Sequence, residues 1–106
     1  MFDALERSLE MIRELRGSLS EIRTRDRDLY LQMRRAAASI ALNLAEGRAR
    51  AGKDRLHHWR IARGSAEELL AALRVAEAFG DIDLASNSPA LALLNRVLSM
   101  LYRLTV

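Results

Sequence analysis

Apolar residues recur at spacings of three and four along most of the chain, and no segment alternates apolar and polar positions as a half-buried strand does. The pattern predicts four helices. The first spans about 2–22, with Leu5, Leu9, Ile12, Arg16, Leu19 and Ile22 on one face and Arg16 as its only polar member. Gly17 is placed to kink this helix or end it early. The charge-alternating segment 23–28 reads as a turn, with Asp26 or Asp28 placed to cap the second helix. That helix, about 28–46, carries Leu29, Met33, Ala36, Ile40 and Leu44 as its stripe. Ala36, Ala37, Ala38, Ala41 and Ala45 make much of its surface smooth, and Gly47 is expected to stop it.

The third helix, about 53–79, begins after the Ala51–Gly52 loop end and is the longest. Its stripe is Leu56, Trp59, Ala62, Ala66, Leu69 or Leu70, Leu73 and Ala76, and Gly80 is its expected stop. Gly64 lies inside it. A glycine there costs about 1 kcal/mol against alanine, so it is expected to mark a close contact. The small patch around it, with Ala62, Ser65 and Ala66, is expected to meet the alanine face of the second helix. Residues 80–88 form a loop. Ser88–Pro89 then reads as a helix start, serine capping and proline in the first turn. The fourth helix runs to about 104.

These elements predict an all-α, up-down antiparallel four-helix bundle occupying 1–106 as one domain. The fourth helix carries more than one apolar face: Leu91, Leu94, Leu98, Met100, Leu101 and Leu104, with Leu93, Val97 and Tyr102. A surface helix in a monomer needs only one such stripe. Either this helix is buried deeply in its own bundle or it meets a second subunit. In the second case Leu93, Val97, Met100 and Leu104 are the expected oligomer interface.

Composition narrows the class further. Half of the residues are hydrophobic but only five are aromatic, so the core must be aliphatic. The absence of cysteine excludes disulfides and thiol chemistry and suits a cytoplasmic location. The acidic, amphipathic first residues do not read as a signal peptide. The most apolar stretch, 89–106, holds Asn95, Arg96 and Arg103 and is too polar to span a membrane.

The net charge of +3 is unevenly spread: residues 34–63 hold eight Lys or Arg against Glu46 and Asp54. The eight are Arg34, Arg35, Arg48, Arg50, Lys53, Arg55, Arg60 and Arg63. Such a cluster suits phosphate backbones, which attract cations without regard to sequence. It equally suits an ordinary solvated surface laced with ion pairs. No aromatic ladder accompanies it, so base stacking is not indicated.

Ser39, Asn43 and Glu46 share one side of the second helix, and Arg60, Arg63 and Glu67 share one side of the third. Antiparallel packing would let Glu46 meet Arg60 or Arg63, a polar contact fixing register rather than a catalytic carboxylate. His57 and His58 are adjacent and point about 100° apart on a helix, so they cannot chelate one metal together. No metal-ligand spacing and no cofactor motif is present. Arg50 and His57 match the loose spacing, Arg and His with six residues between them, found in some small helical ribonucleases. With sixteen arginines available, chance supplies such a match easily. Trp59 reads as a packing side chain.

The run from Arg34 through Ala36, Ala37, Ala38, Ser39, Ile40, Asn43, Leu44 and Glu46 to Gly47 resembles a hallmark of a bacterial four-helix-bundle family. That family is named for proteins encoded in intervening sequences of 23S rRNA genes. The run from Ile61 through Ala62, Arg63, Gly64, Ser65 and Ala66 to Leu69 resembles its second hallmark. The family is similar to the accessory variability proteins of diversity-generating retroelements, basic pentameric bundles that bind a reverse transcriptase and nucleic acid. The resemblance implies a non-enzymatic homo-oligomer, a pentamer, with RNA or DNA and a reverse transcriptase or other protein as partners. Ala41 stands where the family often has proline, which implies a softer bend. Ala51–Gly52 replaces a usual serine, which implies a weaker cap on the third helix.

Overall fold

A computed structural model describes residues 2–106. Its elements are α1 (Asp3–Arg25), α2 (Arg27–Arg48), α3 (Gly52–Ala78), a 3₁₀ turn (Ala85–Asn87) and α4 (Ser88–Leu104). No strand occurs among the described residues. At about 1.5 Å per residue the 27 residues of α3 extend roughly 40 Å, which matches the 42 Å long axis of the molecule. Each of α1 and α3 packs against both α2 and α4, so the helices surround one core. Side-chain pairs fix direction along two seams. Ser39 meets Ser65 and Asn43 meets His58 between α2 and α3. Arg63 meets Thr105 and Glu67 meets Tyr102 between α3 and α4. In both seams positions rise along one helix as they fall along the other.

The core is aliphatic, as composition required. Met11, Leu15, Ile22, Met33, Ile40, Leu44, Leu69, Leu73, Leu94 and Leu101 are its largest fully buried side chains. Fully burying a side chain of this size contributes about 1.5–3 kcal/mol. The stripes of α2 and α3 are close to the expected ones. The stripe of α1 is not. Its fully buried positions are Ala4, Ser8, Met11, Leu15, Ser18, Leu19 and Ile22, while Leu5, Leu9 and Ile12 are only half-buried. Small Ala4, Ser8 and Ser18 let α1 settle deeply between its neighbours, which a hydrophobic count alone does not reveal. Arg16 is therefore exposed at an edge rather than carried on the core face.

The connections explain where the helices end. Asp26 is the whole of the first one: its extended backbone ends α1, and its carboxylate accepts a hydrogen bond from the Leu29 backbone N–H at 3.0 Å, capping α2. Gly17 does not end α1, which continues to Arg25. At the far end of α3, Gly80 adopts φ +79. The Asp81 N–H then bonds the Ala76 carbonyl and the Gly80 N–H bonds the Glu77 carbonyl, each at 2.9 Å. This paired arrangement satisfies the last carbonyls of a helix. Ala51 gives α3 no side-chain cap, as the departure from the family pattern implied. Ser88 does not cap α4 either: its hydroxyl donates to the Ala85 carbonyl instead, and Asn87 precedes the helix. Pro89 does occupy the first turn.

Two glycines differ from expectation. Gly47 does not stop α2, which runs to Arg48. It is buried, and a Cβ there would lie 2.5 Å from the Trp59 indole and 3.1 Å from the Arg55 carbonyl oxygen. Glycine is required by an approaching side chain, not by a helix end. Gly64 shows the reverse. It is exposed, and a Cβ would meet nothing within 4 Å. Between α2 and α3 the Ser39–Ser65 pair meets, and Ala36, Ala62 and Ala66 are buried in the core.

The apolar excess of α4 is largely spent inside its own bundle. Val97 is 0% exposed and part of the core, so it is removed from the expected interface. Leu93, Met100 and Leu104 are half-buried and pack on that core. The most exposed large apolar residues within helices or their caps lie elsewhere: Leu42 at 68% on α2 and Phe79 at 73% after α3. No described helix is long and apolar enough to cross a membrane.

A candidate nucleic-acid interface

The eight basic residues of the middle segment separate into three groups once folded. Arg50, Arg55 and Arg63 are engaged in the structure. The Arg50 guanidinium donates to the Glu46 carboxylate at 2.7 and 3.0 Å and stands 3.9 Å from Asp54. The hydrogen bond and charge of Arg50 hold the Glu46 carboxyl below its ordinary value, and Glu46 raises Arg50 in return. Arg55 donates to the carbonyls of Gly47 and Arg48, each at 3.0 Å, while lying over the Trp59 ring at 5.4 Å. It thereby satisfies the Arg48 carbonyl at the end of α2 and adds to the Arg50 N–H on the Gly47 carbonyl. Arg63 donates to the Thr105 hydroxyl at 3.0 Å and lies over Tyr102 at 5.1 Å. The Tyr102 hydroxyl donates to Glu67, which raises the tyrosine pKa, with burial adding to the effect.

Arg48, Lys53 and Arg60 form the second group. All three are exposed; Arg48 and Lys53 flank the turn between α2 and α3, and Arg60 lies about 10.5 Å further along α3. Arg48 lies over the Phe2 ring at 5.1 Å, and Phe2 stacks on Trp59. Among the described residues none of the three has a carboxylate within salt-bridge distance; those pairs involve only Arg7 and Arg50. Arg34 and Arg35 make the third group. They are exposed in the first half of α2, and Arg34 is about 21 Å along the helix from Arg48. One sequence cluster has become two separate basic regions.

Glu46 meets neither Arg60 nor Arg63, contrary to expectation, because Arg50 captures it one turn away. The polar side of α2 meets α3 through other groups. Ser39 Oγ and Ser65 Oγ are 2.7 Å apart. The Asn43 amide donates to Ser39 at 3.0 Å through the carbonyl and 3.2 Å through the hydroxyl. Asn43 Oδ1 is 3.0 Å from His58 Nδ1, so that ring nitrogen carries the proton. The Trp59 indole N–H donates to the Leu44 carbonyl at 3.2 Å. Sequence reasoning found Ser39 and Asn43 and placed Ser65 in the patch facing α2, but missed the role of His58. Its spacing of seven residues from Ser65 on α3 was the available signal.

His57 is exposed and contacts His58 edge to face at 5.5 Å, while Arg50 is turned to its carboxylates. No group of three or more potential metal ligands occurs among the described residues. Sequence reasoning also missed Arg16 and Arg23 of α1, which line a cleft with Arg34. It had counted Arg16 as part of the apolar stripe.

Comparison with curated proteins and with solved structures finds no match. A family model does match, over residues 3–103 and thus through all four helices. The chain belongs to the 23S rRNA-intervening sequence protein family.

Proposed function

We propose that this chain is a non-enzymatic, homo-oligomeric scaffold, an up-down antiparallel bundle, that binds RNA or DNA non-specifically through the phosphate backbone. One observation carries the reading: Arg48 and Lys53 at the turn, and Arg60 about 10.5 Å further along α3, are exposed and have no carboxylate partner among the described residues. Arg34 and Arg35 extend the basic surface. Arg50, Arg55 and Arg63 support the fold and are withdrawn from direct contact. Self-association multiplies this charge. The bare Leu42 and the partly exposed Leu93, Met100 and Leu104 supply apolar surface for it, and the family resemblance suggests five copies. A reverse transcriptase or another protein is a further partner by the same resemblance, and the expected setting is the cytoplasm.

The test is fluorescence anisotropy with labelled duplex DNA and single-stranded RNA across a salt series. Each phosphate neutralised contributes a slope of about −0.7 to −0.9 in log affinity against log salt. Arg48→Gln with Lys53→Gln should flatten the slope by about two contacts. Affinity indifferent to salt, or no binding at low salt, overturns the reading. RNA remaining intact with the wild type and with His57→Ala agrees with it. Cleavage lost in His57→Ala would establish a ribonuclease instead. Sedimentation showing only monomer would remove the oligomeric half.

A further inference from the structure

The seam between α1 and α2 sets two basic residues that the proposed interface does not use beside one, Arg34, that extends it. Arg16 and Arg23 are seven residues apart on one side of α1, about 10.5 Å along its axis. Arg34 approaches from α2. The three line a cleft of about 150 Å³ together with Leu19, Ser20 and Tyr30. Three like charges around one concavity repel one another unless an anion sits among them. No carboxylate does so: among the described residues these arginines form no ion pair.

The acids nearby are directed elsewhere. Asp3, Glu10, Glu14 and Glu21 recur at seven, four and seven residues along α1, on a different side from Arg16 and Arg23. Asp26 is used as the cap of α2, and Asp28 lies about 120° around α2 from Arg34. The arginines themselves are steadied. Arg16 Nε donates to the Arg13 carbonyl at 3.3 Å, which leaves its terminal N–H groups free. Arg23 lies over the Tyr30 ring at 5.5 Å. Held guanidinium groups lose less freedom when they bind, and their forked donors match phosphate oxygens.

We propose that this cleft is a phosphate-binding site, in which Arg16, Arg23 and Arg34 hold one phosphate group and the Ser20 and Tyr30 hydroxyls are its further donors. The phosphate is either a free anion or one borne by a nucleic-acid strand. Only the second source rests on the proposed function; the cleft itself does not.

The experiment is calorimetry and amide chemical-shift mapping with inorganic phosphate, then with a short oligonucleotide carrying a 5′-phosphate or a 5′-hydroxyl. Arg23→Gln with Arg34→Gln is compared with Arg48→Gln with Lys53→Gln, and Arg16→Gln alone is the second groove variant. Saturable phosphate binding should shift residues 16–34, weaken at least tenfold in the groove double variant and stay unchanged in the turn variant. A tighter 5′-phosphate oligonucleotide identifies a strand end. Equal, groove-sensitive binding of both oligonucleotides identifies backbone phosphate. Binding of inorganic phosphate alone identifies a small-anion site, overturning the nucleic-acid reading while leaving the cleft. No phosphate binding to the wild type, or binding indifferent to both groove variants, overturns the site even where nucleic acid still binds at the turn.

Discussion

Two seams of this bundle are rich in arginine and use it differently. Along α2–α3 and its turn, Arg50 is paired with carboxylates, while Arg55 caps carbonyls and covers an indole. Along α1–α2, Arg16, Arg23 and Arg34 surround a cleft with no acid among them. The first seam also contains a buried glycine under Trp59 and a polar chain from Ser65 to His58. It reads as a seam built for fixed register. The second reads as a seam with unspent charge. Density of basic residues in a sequence therefore says little about how much charge is free to meet a ligand.

The largest effect should come from the tight seam. Gly47→Ala drives a Cβ into Trp59 and close to a backbone carbonyl, and overpacking of this kind costs about 1–3 kcal/mol. In a domain this small, the upper half of that range lowers the melting temperature by roughly 10 °C or more. A melt unchanged in calorimetry would show that the indole swings away freely and that the seam is looser than its contacts indicate. Next comes Asn43→Ala, which strips His58 and Ser39 of a partner and should cost about 1–3 kcal/mol in urea unfolding. A neutral result would mean that water replaces the amide without loss.

A direct contrast of the two seams is smaller. Arg55→Met should cost about 1 kcal/mol, because the Arg48 carbonyl loses its side-chain donor and the Gly47 carbonyl loses one of its donors. Arg16→Gln should stay within about 0.5 kcal/mol of the wild type or gain slightly, since it relieves repulsion at an exposed site. Equal losses in both variants would erase the distinction between structural and free arginines. The smallest effect concerns protons. The Glu46 pKa is lowered in the fold, so its contribution is present above the ordinary carboxylate value and fades as pH falls through the lowered one. Carboxyl NMR titration should show the Glu46 midpoint returning upward in Arg50→Gln. An unmoved midpoint would show that Arg50 is not what holds it.

Much of the fold was legible because helical period and apolar content are local properties. The four helices, the α2 and α3 stripes and the Gly80 stop all came from spacing and from the conformational freedom of one residue. The family was legible in two ordered motifs on α2 and α3, and its model extends through all four helices. Less was legible wherever a residue's role depends on what another helix brings to it. Gly47 and Gly64 look alike as helical glycines, yet one lies beneath a tryptophan and the other faces open space. Val97 looked like surplus apolar surface and is core. Arg16 looked like an interruption of the α1 stripe and stands beside a cleft, because small Ala4, Ser8 and Ser18 turn that helix deeper on another side.

The sequence by itself determined the all-helical class, the number of helices, the aliphatic core, the absence of thiol chemistry and the excess of basic charge in the middle of the chain. The tertiary structure decided which of those charges remain free. A guanidinium is committed or available according to the carboxylate, carbonyl or ring that folding places beside it, and those partners lie on other turns and other helices. The same distinction separates the paired Arg50 from the open Arg34, although both were counted in one basic cluster.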